Sequence, residues 1–253
     1  MGKTGLQLYS VREAIARDFL GTISRAADMG YQGVQFAGFF DTSAKDLKKV
    51  MDDKQIIAAG SHTGLDALTG DKLKETIAYN HEIGNDLVIC PFLAEESRTT
   101  RDDYARTAEQ FNQVGQTCKE NGLTFAYHNH NFEFETFDGV TGFDLLFGQT
   151  DDQLVKVELD CYWATYAGYN PEDIIKKYGN RIISLHMKDM REENGNKRSI
   201  EIGSGILDIK GLLNTGNEHD VSWFVIEQEQ FDRNPMESAK ININELNKLI
   251  RAK

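Results

Sequence analysis

Eight short apolar runs alternate with longer amphipathic stretches along the whole chain, and this alternation restricts the fold more than any other feature. The predicted strands are Gly5–Ser10, Gly33–Ala37, Ile56–His62, Leu87–Pro91, Leu123–His128, Leu154–Asp160, Ile182–His186 and Ser222–Glu227. Predicted helices lie at Phe19–Met29, Ala44–Met51, Lys72–Ile83, Tyr104–Asn121, Asp144–Gly148, Pro171–Tyr178, Ile209–Leu213 and Met236–Ile250. In the first, Phe19, Leu20, Ile23, Ala26 and Ala27 recur at helical spacing. Strand-then-helix units in series imply a parallel sheet. Eight of them close it, which predicts an α/β fold, a single (β/α)₈ TIM barrel over residues 1–253. The alternative is an open doubly wound sheet. It is disfavoured because Tyr9-Ser10-Val11-Arg12 follows the first strand, where a dinucleotide-binding fold places a glycine-rich loop.

Local signals mark several boundaries. Met29-Gly30 and Asn121-Gly122 put glycine where a helix hands over to a strand. Asn170-Pro171 reads as an N-cap followed by proline at the first helical position. The connection from Met187 to Asp208 is long, charged and glycine-bearing, and a substrate-covering role is expected of it.

A net charge of −12 argues against a duplex nucleic-acid partner, which needs a concentrated basic surface. No apolar run reaches the roughly 20 residues of a membrane helix. Strand-like sequence begins at Gly5, so a cytoplasmic location is expected, with a periplasmic one open if a leader was removed. Cys90, Cys118 and Cys161 lack metal-site or disulfide spacing and are expected to be reduced and buried.

Barrel enzymes keep their chemistry at the C-terminal ends of the strands. Those ends and their following loops carry Gln7, Tyr9, Gln35, His62, Cys90, His128, His130, Asp160, His186 and Glu227. Each alone has an ordinary explanation, since Asp and Glu there often cap the next helix. Together with Glu133 they place three carboxylates and a histidine on one half of the rim. Unpaired carboxylates that close would repel and take up protons, a conflict that a divalent cation removes. Two Glu, one Asp and one His make a hard, mostly oxygen site.

Tyr127-His-Asn-His-Asn-Phe-Glu-Phe134, Glu158-Leu-Asp-Cys-Tyr-Trp163, Leu185-His-Met-Lys-Asp189, Glu201-Ile-Gly-Ser-Gly-Ile-Leu-Asp208 and Val225-Ile-Glu-Gln-Glu229 carry a family resemblance that spans the chain. It resembles the xylose isomerase-like barrel superfamily, the sugar phosphate isomerase/epimerase group that includes inosose dehydratases, ketose 3-epimerases and endonuclease IV. The resemblance implies one divalent cation, Mn²⁺ first and Mg²⁺, Co²⁺ or Zn²⁺ as alternatives, on Glu133, Asp160, His186 and Glu227. It implies proton transfer next to a carbonyl through an enediolate, with Glu133 and Glu227 as base and acid. One segment departs from the epimerase pattern, because His128 stands where the first metal Glu ends strand five. Either Glu133 reaches back, or His128 or His130 supplies the fourth bond, and either histidine can replace Glu133 as base. His62, His130, Lys188 and Trp163 are expected to contact substrate. Glu229 is the alternative to Glu227.

The leading expectation is a metal-dependent sugar isomerase or epimerase. The second is a lyase or dehydratase on a keto-sugar, keto-glycoside or keto-inositol, because Tyr127-His-Asn-His130 resembles the histidine-rich strand five of inosose dehydratases. A catalytically silent sugar-binding barrel is the non-enzymatic alternative. The partner is a small sugar or keto-sugar, and a homo-oligomer is compatible with the group.

Overall fold

A computed structural model of the protein describes residues 1–252. Eight of its strands form a closed, all-parallel barrel, as the alternation predicts. They are β1 (Lys3–Gln7), β2 (Gly33–Phe36), β3 (Ile57–His62), β4 (Leu87–Cys90), β5 (Thr124–His128), β8 (Val155–Asp160), β9 (Ile182–Met187) and β12 (Trp223–Ile226). The other four make two antiparallel hairpins, β6 (Thr136–Phe137) with β7 (Val140–Thr141) and β10 (Asp189–Glu193) with β11 (Asn196–Ile200).

Around the barrel run α1 (Arg12–Arg17), α2 (Phe19–Met29), α3 (Ala44–Lys54), α4 (Gly70–Ile83), α5 (Arg101–Glu120), α6 (Gly142–Gly148), α7 (Cys161–Tyr166), α8 (Pro171–Tyr178), α9 (Ile209–Glu218) and α10 (Pro235–Arg251). Gly30 ends α2 in the left-handed region at φ 100°, and the Asn170 side chain caps α8 ahead of Pro171. Thr100 and Asp103 close a reciprocal capping box on α5.

The barrel interior is layered. At its N-terminal end the indole of Trp223 packs with Ala59 and Val225. It fits because β2 begins with glycine: a Cβ on Gly33 would lie 2.6 Å from Trp223 Cη2. Leu87, Ile89 and Ala126 form a second apolar cluster. Toward the C-terminal ends the buried residues become polar: Gln7, Gln35, His128, Glu158, Asp160 and His186. Residues of opposite parity face the helices, where Phe125 and Tyr127 pack on Phe111 of α5.

Two sequence expectations need correction. The first strand stops at Gln7, whose side chain accepts from Tyr9 N–H and turns the chain into a 3₁₀ helix over Leu8–Val11. The long connection after β9 is a hairpin, with Asn194 (φ 53°) and Gly195 (φ 78°) supplying the left-handed pair that a tight two-residue turn requires. Among the described residues, none of the hairpin lines the cavity that opens at the C-terminal mouth of the barrel. It braces a neighbour instead: Ser199 Oγ accepts from Glu229 N–H and Gln230 N–H, and Arg198 pairs with Asp232. All three cysteines are free and buried. No helix among the described residues is long and apolar enough to cross a membrane.

Candidate active site and metal centre

Strand ends β5, β8, β9 and β12 bring His128, Asp160, His186 and Glu227 together, each offering a ligand atom within 4.8 Å of the others. A second group, His62, His128, Glu158 and His186, shares two of those histidines. The register explains the overlap. His128 lies opposite Glu158, and Asp160 lies opposite His186, so alternate residues of neighbouring strands meet inside the barrel.

The two groups divide the imidazole rings between them. Glu158 Oε1 lies 3.0 Å from His186 Nε2 and 3.3 Å from His128 Nδ1. The opposite nitrogens, His186 Nδ1 and His128 Nε2, face Asp160 Oδ2 at 3.8 and 3.9 Å. His186 Nδ1 also sits 3.1 Å from Glu227 Oε2. Glu158 further accepts from Gln35 Nε2 at 2.5 Å and contacts His62 Nε2 at 2.7 Å. A carboxylate on one nitrogen of a histidine fixes the ring and leaves the other nitrogen for a cation.

The electrostatics separate the groups too. Burial raises the pKa of Glu158, but His186, His128 and His62 outweigh it and hold that carboxyl well below its usual range. Asp160 is pushed the other way, by burial, to about 6 even with Lys188 nearby. Its Oδ2 is fully buried and accepts no hydrogen bond of good geometry, although the Lys188 ammonium lies 3.2 Å away. An acidic oxygen in that condition, beside two imidazole nitrogens and a second carboxylate, is what a divalent cation satisfies, so these residues fit one.

Lys188 is fully buried at the edge of the group. Its Nζ donates to Glu227 Oε2 at 2.9 Å and to Glu229, and lies 3.2 Å from Asp160 Oδ2. Burial opposes its charge, but these three carboxylates hold its pKa well above the usual lysine value. Glu227 in turn is held low by Lys188 and His186 against the effect of burial.

The remaining expected residues occupy varied places. Glu133 falls in neither group. The chain turns after β5 into a 3₁₀ turn over Phe132–Phe134, and the Glu133 carboxylate accepts from Tyr127 OH and, at 2.8 Å, from His130 N–H. Tyr127 faces the helix layer, so Glu133 is drawn away from the barrel axis, and burial raises its pKa to about 7. His62 and His130 line the cavity at the barrel mouth. Both ring nitrogens of His62 are engaged, by Glu158 and by Gln7 Nε2 at 3.3 Å. His130 has a buried Nδ1 without a partner, and burial together with Lys188 lowers its pKa to about 4. Trp163 packs against His130 at 5.8 Å and Lys188 at 5.4 Å and is not among the lining residues. Glu158 is not among the residues expected from sequence, although it has the same strand parity as Asp160.

The cavity, about 370 Å³ in volume, opens at the C-terminal mouth with His62, His128, His130 and Glu227 along its polar part. That is a small-molecule site at the low end of the usual range.

Residues 23–249 match the family model described as xylose isomerase-like TIM barrel. The inosose dehydratase of Clostridium botulinum (strain Alaska E43 / Type E3) is 26% identical, the match covering 87% of this chain and 86% of that protein. The inosose dehydratase of Clostridium beijerinckii (strain ATCC 51743 / NCIMB 8052) is 25% identical, with 84% and 82% covered. Among solved structures, a sugar phosphate isomerase/epimerase from Parabacteroides distasonis ATCC 8503 superposes with a TM-score of 0.83 at 24% identity over 99% of both chains. An L-ribulose 3-epimerase shares the fold at a TM-score of 0.73 and 17% identity, with 99% and 96% covered.

Proposed function

The chain belongs to the xylose isomerase-like TIM barrel family, and from that premise we propose that it is a divalent-metal-dependent lyase that dehydrates a small keto-sugar or keto-polyol. The cation would be held by His128, Asp160, His186 and Glu227, with Glu158 orienting both histidines. A cation held there supplies positive charge that draws electrons from a carbonyl and its neighbouring hydroxyl. Two imidazoles and two carboxylates suit Mn²⁺, Co²⁺ or Zn²⁺ better than Mg²⁺.

The observation that carries the lyase reading is the position of Glu133. Isomerisation and epimerisation, the first expectations from sequence, share the opening proton transfer. Epimerisation then needs a second acid/base group on the other face of the substrate. Of the two carboxylates expected to serve, Glu133 is bonded to Tyr127, and Glu227 is held ionised by Lys188 and His186, as a metal ligand and not as a proton donor. Dehydration needs one such group. His130 is neutral at neutral pH because burial and Lys188 disfavour its charged form.

One of its ring nitrogens takes the proton from the carbon next to the carbonyl. The C–H electron pair becomes the double bond of the enediolate. When the carbonyl re-forms, that pair expels the β-hydroxyl, which takes the proton back from the imidazolium and leaves as water. Lys188 keeps its charge throughout and holds Glu227 ionised at the cavity wall.

Mass analysis of Mn²⁺-loaded protein incubated with keto-inositols and keto-hexoses tests the reading. A product lighter by one water is expected. An isomer of unchanged mass would replace the lyase reading by an epimerase or isomerase. Metal-loaded protein that binds these sugars and leaves them unaltered would identify a silent binding barrel.

A further inference from the structure

Glu158 orients three of the four histidines at the barrel mouth, His62, His128 and His186. His130 has no such partner, and its Nδ1 is buried without a hydrogen bond. Its ring stacks on Phe132 (5.4 Å, 7°) and meets the edge of Phe92 (5.5 Å, 83°). A histidine that moves a proton needs a fixed ring, and a hydrogen bond on the second ring nitrogen is the usual device. Here the polar contacts are made to the backbone instead. Glu133 reaches back three residues and accepts from His130 N–H at 2.8 Å, while Asn129 Nδ2 donates to His130 O at 3.3 Å. Both side chains are buried and anchored in turn. Glu133 accepts from Tyr127 OH, and Asn129 Oδ1 accepts from Asp160 N–H at 2.9 Å. Phe132, on which the His130 ring rests, stands in the 3₁₀ turn that this bond closes, and Arg98 lies over it at 3.8 Å.

From this arrangement we infer that Glu133 is a positioning residue for the base: it sets the His130 ring through the backbone N–H and the turn, and neither transfers a proton nor binds the cation. The inference rests on the assignment of His130 as the base, and it names what aims that base. A positioning role needs an acceptor for the His130 N–H and does not need a charge. Glutamine supplies one, since its Oε1 accepts from the N–H while its Nε2 donates to the Tyr127 oxygen, which accepts as well as donates. Alanine does not, and it leaves the buried N–H unpaired and the turn open. Proton transfer or metal binding by Glu133 would require the carboxylate itself, so glutamine would fail as alanine does.

NMR of the imidazole Cε1–H groups in the Zn²⁺-supplied full chain tests the ring without substrate, so its outcome is separate from that of the dehydration reading. The chain has six histidines, and the His130 signal is the one lost in His130→Ala. That signal is expected to keep its place in Glu133→Gln and to be displaced or split in Glu133→Ala. The double variant Tyr127→Phe/Glu133→Leu keeps the buried volume and removes both hydroxyl and carboxylate, so it reports the same displacement should the alanine variant not fold. With a keto-sugar that the protein converts, Glu133→Ala or the double variant is expected to lose at least about 30-fold in kcat, the scale of a base displaced by a fraction of an ångström. KM should change less than about threefold, the metal should stay stoichiometric, and Glu133→Gln should keep at least about a third of kcat. An undisplaced His130 signal in Glu133→Ala and in the double variant overturns the inference. So does a Glu133→Gln variant that loses kcat or metal as Glu133→Ala does, since the carboxylate itself would then be required.

Discussion

Replacing Asp160 by Asn, or His186 by Ala, is expected to leave a folded barrel that retains no divalent cation after dialysis. Asp160 Oδ1 accepts from Trp163 N–H at 2.8 Å and caps α7, a task the Asn carbonyl oxygen still performs. What Asn loses is the negative charge on Oδ2, the buried oxygen with no hydrogen bond of good geometry. His186→Ala removes the nitrogen that faces both Asp160 and Glu227. Each change should cost more metal affinity than the ~10–100-fold that loss of an orienting partner costs. Glu158→Gln, which alters an orienting partner only, should fall within that range. Elemental analysis gives the stoichiometry and circular dichroism the fold. Stoichiometric metal in both Asp160→Asn and His186→Ala would place the cation elsewhere.

Lys188→Met carries the largest expected change in stability. The ammonium is fully buried among Asp160, Glu227 and Glu229, and methionine fills the space of its stem without the charge. Breaking a buried ion pair from one side leaves uncompensated charge and costs about 3–5 kcal/mol. For a chain of this size that is a fall in Tm of roughly 6–20 °C in metal-free protein. A divalent cation at His128, Asp160, His186 and Glu227 would supply part of the missing positive charge. Adding Mn²⁺ should therefore raise the Tm of Lys188→Met by more than it raises that of the unaltered protein. Scanning calorimetry with and without metal reads both. An unchanged Tm in metal-free Lys188→Met would mean that the carboxylates do not depend on the ammonium.

The strand ends were legible because strand geometry is regular. Period-two alternation puts Asp160 and His186 inside the barrel, and a one-residue error would have moved each to the helix layer. The same rule makes Glu158 an inward residue, one that lies two positions before the strand end and so deeper in the barrel than the rim where ligands are sought. Glu133 shows where the rule stops. Past His128 the chain leaves the strand, so parity no longer fixes direction, and the Tyr127 hydroxyl and the His130 N–H decide where the carboxylate goes. Both hairpins left signals of the right kind in Asp138-Gly139 and Asn194-Gly195, whose left-handed backbone favours two-residue turns. Length and charge point to a substrate-covering role for the connection from Met187 to Asp208, but the Ser199 hydroxyl within it is bonded to the loop that carries Glu229. The sequence marks Lys188 as a substrate contact through the resemblance alone, and only the convergence of three carboxylates from β8 and the β12 loop shows why it is buried.

Proton abstraction next to a carbonyl, with His130 as the base, has a direct test in deuterated water. The metal-loaded protein is incubated with a keto-sugar that it converts, the reaction is stopped part-way, and the remaining substrate is examined by NMR. Enolisation predicts solvent deuterium at the carbon next to the carbonyl, with exchange slowed at least about 100-fold in His130→Ala. Conversion that leaves this carbon free of solvent deuterium, or exchange that proceeds undiminished in His130→Ala, would contradict it.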